Sequence, residues 1–377
     1  MHKINVAVNK NCLYLTLKGN MGIEETKEVS NEIMQEVKRL KPGFSIINSL
    51  LEYRFDSEES RRARKRPHQQ ERELRRTDMA KKSYSFYPGC SSQKAASSSN
   101  YQVSVDTMCK ELDIELNEIP DWNCCSASIG YAGGGELPRL ALSARNMALS
   151  EQAHPDQDIV ATCAACWLST KETQERLNDN GGLMAETNTA LAEAGLTLKN
   201  DKNIRHMVEV LIEDIGYEEL GSHVTKPLEG LKIAGYVGCQ TNRPFGIDGE
   251  SFENPKYLDK LIETVGAEAC DNYEKKVSCC GGALAFSEPE KSQALIKDII
   301  ESAYDNGADM IVTPCPVCQM NTEVYQDQIN AKYGTKFKMP VVYYSTLMSV
   351  AYGKSAKEAA LDGQIIRVKQ LEDIAGK

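Results

Sequence analysis

Apolar and polar positions are patterned differently in three stretches of this chain. Over residues 3–50, "INVAV" and "CLYLTL" have the apolar, β-branched character of strands around a polar "NKN" turn. "IEETKEVSNEIMQEVKRL" then spaces Ile, Val, Ile, Met, Val and Leu at helical intervals, "KPG" stops it, and "FSIIN" reads as another strand. This predicts a small β-β-α-β domain over residues 1–55. A polar, basic stretch over 56–80 reads as a linker. Beyond it, "YSFYPGC" and "IAGYVGC" are apolar strands that each end at a glycine and a cysteine. "LALSARNMALSEQA" and "SQALIKDIIESAYDNGA" carry helical spacing, and each precedes an apolar strand, "DIVAT" or "DMIVT", that runs into C-x-x-C. Strand–helix–strand alternation of this kind predicts α/β architecture with parallel sheets and ligand sites beyond the strand ends. Two similar domains are expected, half one over 81–226 and half two over 227–377.

Charge adds little beyond the linker. "RRARKRPHQQERELRR", residues 61–76, sets Arg61, Arg62, Arg64, Lys65, Arg66, Arg72, Arg75 and Arg76 against Glu71 and Glu73. It reads as a solvated linker or polar helix, or as a docking arm for an acidic partner surface. From Met79, "MAKKSYSFYPGC" looks like the start of a separate protein joined to the first. A formal net charge of −10 argues against a general nucleic-acid binder. No apolar run approaches the roughly 18 residues of a membrane span. The N-terminus shows no signal-peptide core, so a cytoplasmic protein is the expectation.

The cysteines change the picture. There are 13, and the chain's size, the missing signal and the odd count favour metal or redox use over a disulfide framework. Ten fall into two copies of one pattern: Cys90, Cys124–Cys125 and Cys163-x-x-Cys166, then Cys239, Cys279–Cys280 and Cys315-x-x-Cys318. The landmark offsets are 149 (239 − 90), 155 (279 − 124) and 152 (315 − 163), an internal repeat. Gly89 and Gly238 precede the first cysteine of each set, and glycine lets backbone approach a bulky inorganic group. A zinc ion needs four ligands, usually as paired C-x-x-C, so five cysteines including an adjacent pair exceed its demand. Iron–sulfur clusters use thiolates, accept crowded ligands and fit this donor set better. Neighbouring thiolates can bind neighbouring irons, or one can bridge two.

The repeated pattern resembles the CCG, or cysteine-rich, domain. From Met79 to about residue 350, "YPGC", "DWNCC", "CCGG", "GADMIVTPCPVCQMN" and "HVTKPLEGLKIAGYVGC" make the chain similar to the B subunit of heterodisulfide reductase. Similar repeats occur in iron–sulfur subunits of glycolate, lactate and glycerol-3-phosphate oxidoreductases and in a succinate dehydrogenase subunit. The resemblance implies one noncubane [4Fe-4S] cluster per half. Cys90, Cys124, Cys125, Cys163 and Cys166 would bind the first, and Cys239, Cys279, Cys280, Cys315 and Cys318 the second. It further implies disulfide reduction between the clusters in one-electron steps, with electrons from a C-type subunit carrying cubane clusters and an A-type flavoprotein. This sequence departs from the pattern at Ser126, where half two keeps "CCGG", and in a slightly long spacer of 37 residues between Cys125 and Cys163. The N-terminal domain, loosely similar to STAS domains, is foreign to the methanogen-type subunit. It suits a sulfur-oxidation relative whose substrate is a protein-bound lipoyl sulfur species.

Other residues carry weaker signals. Arg243, Lys94 and Arg145 could hold an anionic disulfide or thiol substrate by charge-assisted hydrogen bonds, Arg243 being the best placed. Cys12, Cys109 and Cys270 read as structural, as does His206 in what looks like an amphipathic helix. Tyr87 and Tyr236, just before the first cysteine of each repeat, are expected in the core. No G-x-G-x-x-G opens a helix after a strand, so no flavin or nicotinamide is expected on this chain, and "YAGGGELPRL" reads as a turn. The expected function is the catalytic iron–sulfur subunit of a heterodisulfide reductase-like complex. The alternative is an electron-transfer subunit of a flavin-dependent dehydrogenase.

Overall fold

A computed structural model of the protein describes residues 2–7, 12–21, 28–29, 31–33, 35–36, 38–39, 45–55, 82–127 and 135–376. The basic stretch at 61–76, the start at Met79, most of the glycine run in "YAGGGELPRL" and the side chain of Cys12 lie outside the described residues. The chain divides into two compact units, Met1–Ala80 and Lys81–Lys377. In the first, β1 (His2–Ala7) pairs antiparallel with β2 (Cys12–Met21), which pairs parallel with β3 (Ser45–Phe55). Helical residues between 28 and 36 bury Val29 and Ile33, four positions apart on one face. This is the expected β-β-α-β order, with β3 running several residues beyond "FSIIN".

The second unit holds two four-stranded sheets of one topology. In half one, β4 (Lys82–Tyr87), α1 (Ser99–Glu111), β5 (Ile114–Glu118), α2 (Glu136–Ala153), β6 (Ile159–Ala161), α3 (Ala164–Asp179) and β7 (Ile204–His206) give the strand order β5-β4-β6-β7. In half two, β8 (Lys232–Gly235), α4 (Tyr257–Thr264), β9 (Glu268–Ala269), α5 (Pro289–Asp305), β10 (Met310–Thr313), α6 (Pro316–Val324), β11 (Val341–Tyr343) and α7 (Tyr344–Ala351) give β9-β8-β10-β11. All pairings in both sheets are parallel. The strands β6 and β10 are buried along their whole length, which is why "IVA" and "MIVT" show no alternation. In each half the first and third strands are neighbours, and the chain leaves them in opposite directions. Their carboxyl ends therefore form a switch point, where open parallel sheets place ligands. The first cysteine of each set follows the first strand, and C-x-x-C follows the third.

The halves are not separate cores. Helix α1 of half one packs on α7 of half two, with Ser104 Oγ and Ser345 Oγ 2.7 Å apart and Ser349 Oγ donating to the Ser104 carbonyl at 3.3 Å. Small side chains at the contact let the two helices approach closely. One hydrophobic cluster joins Tyr84, Val105 and Met108 to Leu258, Leu347 and Val350. Exchange continues near the cysteines. Ala164 of half one is buried in the core of half two, and Phe245 of half two packs against the core of half one. None of this interlocking is visible in the repeat, which reports only that the halves are alike.

Candidate metal centres

Each C-x-x-C sits on the first turn of a helix. Cys163 is the N-cap of α3 and Cys315 the N-cap of α6, so Cys166 and Cys318 fall within the first helical turn. Unpaired amides and the positive end of the helix dipole favour thiolate there. The adjacent pairs lie on loops held in matching ways. Ser126 N donates to Cys124 Sγ at 3.4 Å, and Gly281 N to Cys279 Sγ at 3.3 Å. Both residues have left-handed backbone, with φ of 55° for Ser126 and 71° for Gly281. The serine departure is thus absorbed without loss of the turn, at the cost of an unfavourable φ for a residue with a Cβ.

All five cysteines of each half are drawn together, and none of these ten is in a disulfide. In half one, the Sγ atoms of Cys90 and Cys124 are 3.7 Å apart. The S–H of Cys124, then that of Cys166, pulls Cys125 down to about 3. Cys124 is pushed far up, chiefly by its hydrogen bond to Cys125. Cys166 holds Cys163 below the usual thiol range. In half two, Cys239 pulls Cys279 down to about 6, and Cys318 lowers Cys280. Cys318 also hydrogen-bonds Cys315 and is itself pushed well up. Thiols this crowded cannot all ionise without a cation to share, and metal binding removes their protons.

The backbone leaves room for such a group. A Cβ on Gly89 would lie 2.8 Å from Cys166 Sγ, and one on Gly238 would lie 3.1 Å from Cys318 Sγ. Both glycines have positive φ, 76° and 73°. Main chain thus passes against the last sulfur of each set, at positions only glycine can fill. Among the described residues no group of three or more His, Cys, Asp or Glu is placed to hold a metal ion. A sulfur-only donor set of five fits a multinuclear iron–sulfur group better than a single zinc.

Supporting contacts repeat across the halves as faithfully as the cysteines. Tyr87 Oη donates to the Asn123 carbonyl at 2.8 Å and Tyr236 Oη to the Ser278 carbonyl at 2.7 Å, each just before an adjacent pair. Cys318 Sγ is 3.9 Å from Tyr236 Oη. Ser169 Oγ donates to the Cys125 carbonyl at 3.2 Å, and Asn321 Nδ2 to the Cys280 carbonyl at 2.7 Å. Thr170 and Thr322 bond the carbonyls of Cys166 and Cys318 at 2.8 and 2.6 Å. The tyrosines are buried as expected, but they also pin the ligand loops. Their constant place three residues before the first cysteine is the signal for this, as is the shared offset of three from the last cysteine for Ser169 and Asn321.

One expectation needs correction. His206 is not in a helix: it ends β7 and caps the helix that begins at Met207. Parallel pairing of Ile204–His206 with Ile159–Ala161 overrides the helical spacing of the downstream residues. Arg145 is tied to Asp121 and to Asn123 Oδ1 at 3.1 Å, so it braces the loop before Cys124. Arg243 is half-exposed and donates to Glu253 at 2.9 Å and to the Phe252 carbonyl at 3.2 Å. Lys94 is exposed. Cys109 lies in the core shared by the halves, its thiol pushed up by burial, and Cys270 is buried and pushed up to about 11 for the same reason.

The profile of the cysteine-rich domain family, CCG, matches this chain twice, at residues 84–171 and 233–323. The B subunit of the ferredoxin/F420H2-dependent CoB-CoM heterodisulfide reductase of Methanosarcina acetivorans is 31% identical over 262 residues, 68% of this chain and 86% of that protein. The chain belongs to the family of heterodisulfide reductase B subunits. A protein of Archaeoglobus profundus, itself described as like the heterodisulfide reductase B subunit, is 29% identical over 74% of this chain and 93% of its own length. The 8-methylmenaquinol:fumarate reductase membrane anchor subunit of Wolinella succinogenes is 32% identical over 77% of this chain and 99% of its own. A Helicobacter pylori hypothetical protein shares the fold, with a TM-score of 0.60 at 14% identity over 76% of this chain; the match spans about half, 52%, of that protein. Membership in the heterodisulfide reductase family implies iron–sulfur clusters, in accord with the sulfur-only donor sets. Among the described residues no helix is long and apolar enough to cross a membrane.

Proposed function

We propose that this chain is the catalytic iron–sulfur subunit of a heterodisulfide reductase-like complex, making or breaking S–S bonds of a thiol/disulfide substrate. The ten cysteines named above would hold two noncubane [4Fe-4S] clusters, five ligands each. When bound, these clusters supply one-electron redox chemistry at two adjacent points. The balance is RSSR′ plus two electrons and two protons giving RSH and R′SH: the S–S bond breaks and both sulfurs are reduced. Electrons come from partner subunits, a C-type subunit with cubane clusters and an A-type flavoprotein, since this chain carries no nucleotide-binding fingerprint in its sequence. Reversed, the same sites would oxidise thiols, including lipoyl-bound ones.

The observation that carries this reading is the pairing of two five-cysteine sites in one interlocked unit, where a single tyrosine hydroxyl reaches the backbone of both. The protein's own residues supply the frame: glycines at 89 and 238 admit the group, tyrosines at 87 and 236 hold the ligand loops, and burial of most cysteines excludes water. Exposed Cys90 and Cys279 leave each site open at one edge. The second reading, an electron-transfer subunit of a flavin-dependent dehydrogenase, is favoured by the full-length match to the fumarate reductase subunit. EPR of the anaerobically purified protein with and without a small disulfide or thiol separates them. A paramagnetic state that appears only with the sulfur compound supports S–S chemistry, and indifference to every thiol and disulfide supports plain electron transfer.

A further inference from the structure

Between the two sites stands Tyr101, on the first turn of α1 and fully buried. Its ring stacks on Tyr343 of half two, centroids 4.0 Å apart and planes 9° from parallel, and meets Tyr344 edge-on at 6.0 Å. Its Oη is 3.2 Å from the Thr162 carbonyl and 3.1 Å from the Pro314 carbonyl. Thr162 immediately precedes Cys163, and Pro314 immediately precedes Cys315. One hydroxyl therefore touches both C-x-x-C loops.

A second group shares the load. His206, also buried, places Nε2 2.9 Å from the Thr162 carbonyl, while its Nδ1 accepts from Val208 N at 3.2 Å. An accepting Nδ1 leaves the ring proton on Nε2, so the imidazole donates to Thr162. Burial lowers the His206 pKa to about 4, so the ring stays neutral and keeps this tautomer at neutral pH. With Thr162 served by the imidazole, the single proton of Tyr101 can go to Pro314. His206 also lies against the Pro314 carbonyl, so both buried donors face the main chain of both C-x-x-C loops.

We propose that Tyr101 and His206 are positioning residues that set the distance between the two cysteine sites, so that the two sulfurs of one disulfide can be presented one to each. This rests on the S–S reading above. The spacing requirement is tight because the sulfurs are joined by a bond of about 2.05 Å, and misplacement by roughly 1 Å can cost about a hundredfold in rate. A merely structural core tyrosine would need the ring and its stacking, but not the hydroxyl. The hydroxyl is aimed at one main-chain carbonyl of each C-x-x-C loop.

The test compares Tyr101→Phe, His206→Gln and His206→Leu in the full-length protein, purified anaerobically. Three readings are taken: iron and acid-labile sulfide, the dipolar spin coupling between the reduced sites by pulsed EPR, and turnover of a small disulfide with a reduced viologen as donor. Tyr101→Phe keeps the stacked ring, so iron and sulfide should stay at the wild-type level while the spin coupling shifts and kcat drops by about tenfold or more. His206→Gln retains an N–H donor and should remain near wild type, whereas His206→Leu should behave like Tyr101→Phe. Unchanged coupling and turnover in Tyr101→Phe and His206→Leu, beside an active wild type, overturn this inference alone. Loss of iron from both sites in both variants also overturns it, since the role would then be structural. A wild type without iron, or without disulfide turnover, overturns the S–S reading itself and this inference with it.

Discussion

Half one and half two are copies that differ where it matters. Both order their strands alike, deliver C-x-x-C from the third strand onto a helix, and pin the same loops with tyrosine, threonine and a Ser/Asn equivalent. Yet the exposed cysteine is the first of its set in half one, Cys90, and the first of the adjacent pair in half two, Cys279. The fourth strand ends in His206 in one half and Tyr343 in the other. The residue after the last cysteine of half two is Gln319, accepting from Tyr343 at 3.2 Å, and that of half one is Trp167, packed edge-on to His206 at 6.2 Å. The ligand frame is shared between the halves, and the surroundings have diverged. Equal cysteine sets in unequal settings open to the outside at different cysteines.

The strongest way to break the comparison is to remove one site. Cys163→Ala should cost roughly half of the iron and sulfide and leave half two loaded, and Cys315→Ala should do the converse, both read by metal analysis and visible absorption. If either variant loses everything, the sites do not assemble independently. Next in size is an acid effect centred on His206, in half one. His206 has a folded pKa lowered to about 4 against 6.5 for the free ring. A depressed base contributes stability that is complete above about pH 6.5 and fades as pH falls toward 4, by about 3 kcal/mol in all. Glu323 in half two, raised to about 7 by burial, titrates in nearly the same range with the opposite sign, so urea melts should show the His206 effect as the difference in slope between wild type and His206→Gln.

Smaller effects sharpen the comparison. Gly89→Ala and Gly238→Ala both place a Cβ at positive φ, and at Gly89, with φ 76° and ψ 158°, the backbone is one that only glycine adopts readily, costing about 1–3 kcal/mol before any contact is counted. The nearer sulfur, 2.8 Å against 3.1 Å, makes the half-one variant the worse of the two. Iron retention on thermal challenge gives the order. Least of all, Ser126→Gly should relieve an unfavourable φ and raise the melting stability by about 1 kcal/mol. No gain there would mean that the serine side chain offsets the strain through a contact of its own.

Much of this architecture is legible in the sequence, for a physical reason. Apolar strands followed by Gly–Cys and by C-x-x-C are local patterns, and repeating them at offsets of 149, 155 and 152 residues exposes the doubled fold and both donor sets. Contacts between distant residues leave no such trace. Ser104 meets Ser345 across 241 positions, and Tyr101 reaches Pro314 across 213. Nothing local marks either residue, because a serine or tyrosine on an amphipathic helix reads as ordinary core. His206 escapes a local reading for a related reason: helical spacing continues through Met207 and beyond, while the strand that claims Ile204–His206 is defined by its partner β6. Arg145 illustrates the limit of charge as a signal, since its bond to the Asn123 side chain spends it on the loop rather than on a ligand.

The most direct measurement is iron and acid-labile sulfide per chain in protein purified without oxygen. Two loaded sites predict about eight of each, in a coloured protein. A colourless protein with only zinc, or with bare thiols at both positions, would contradict the account at its root.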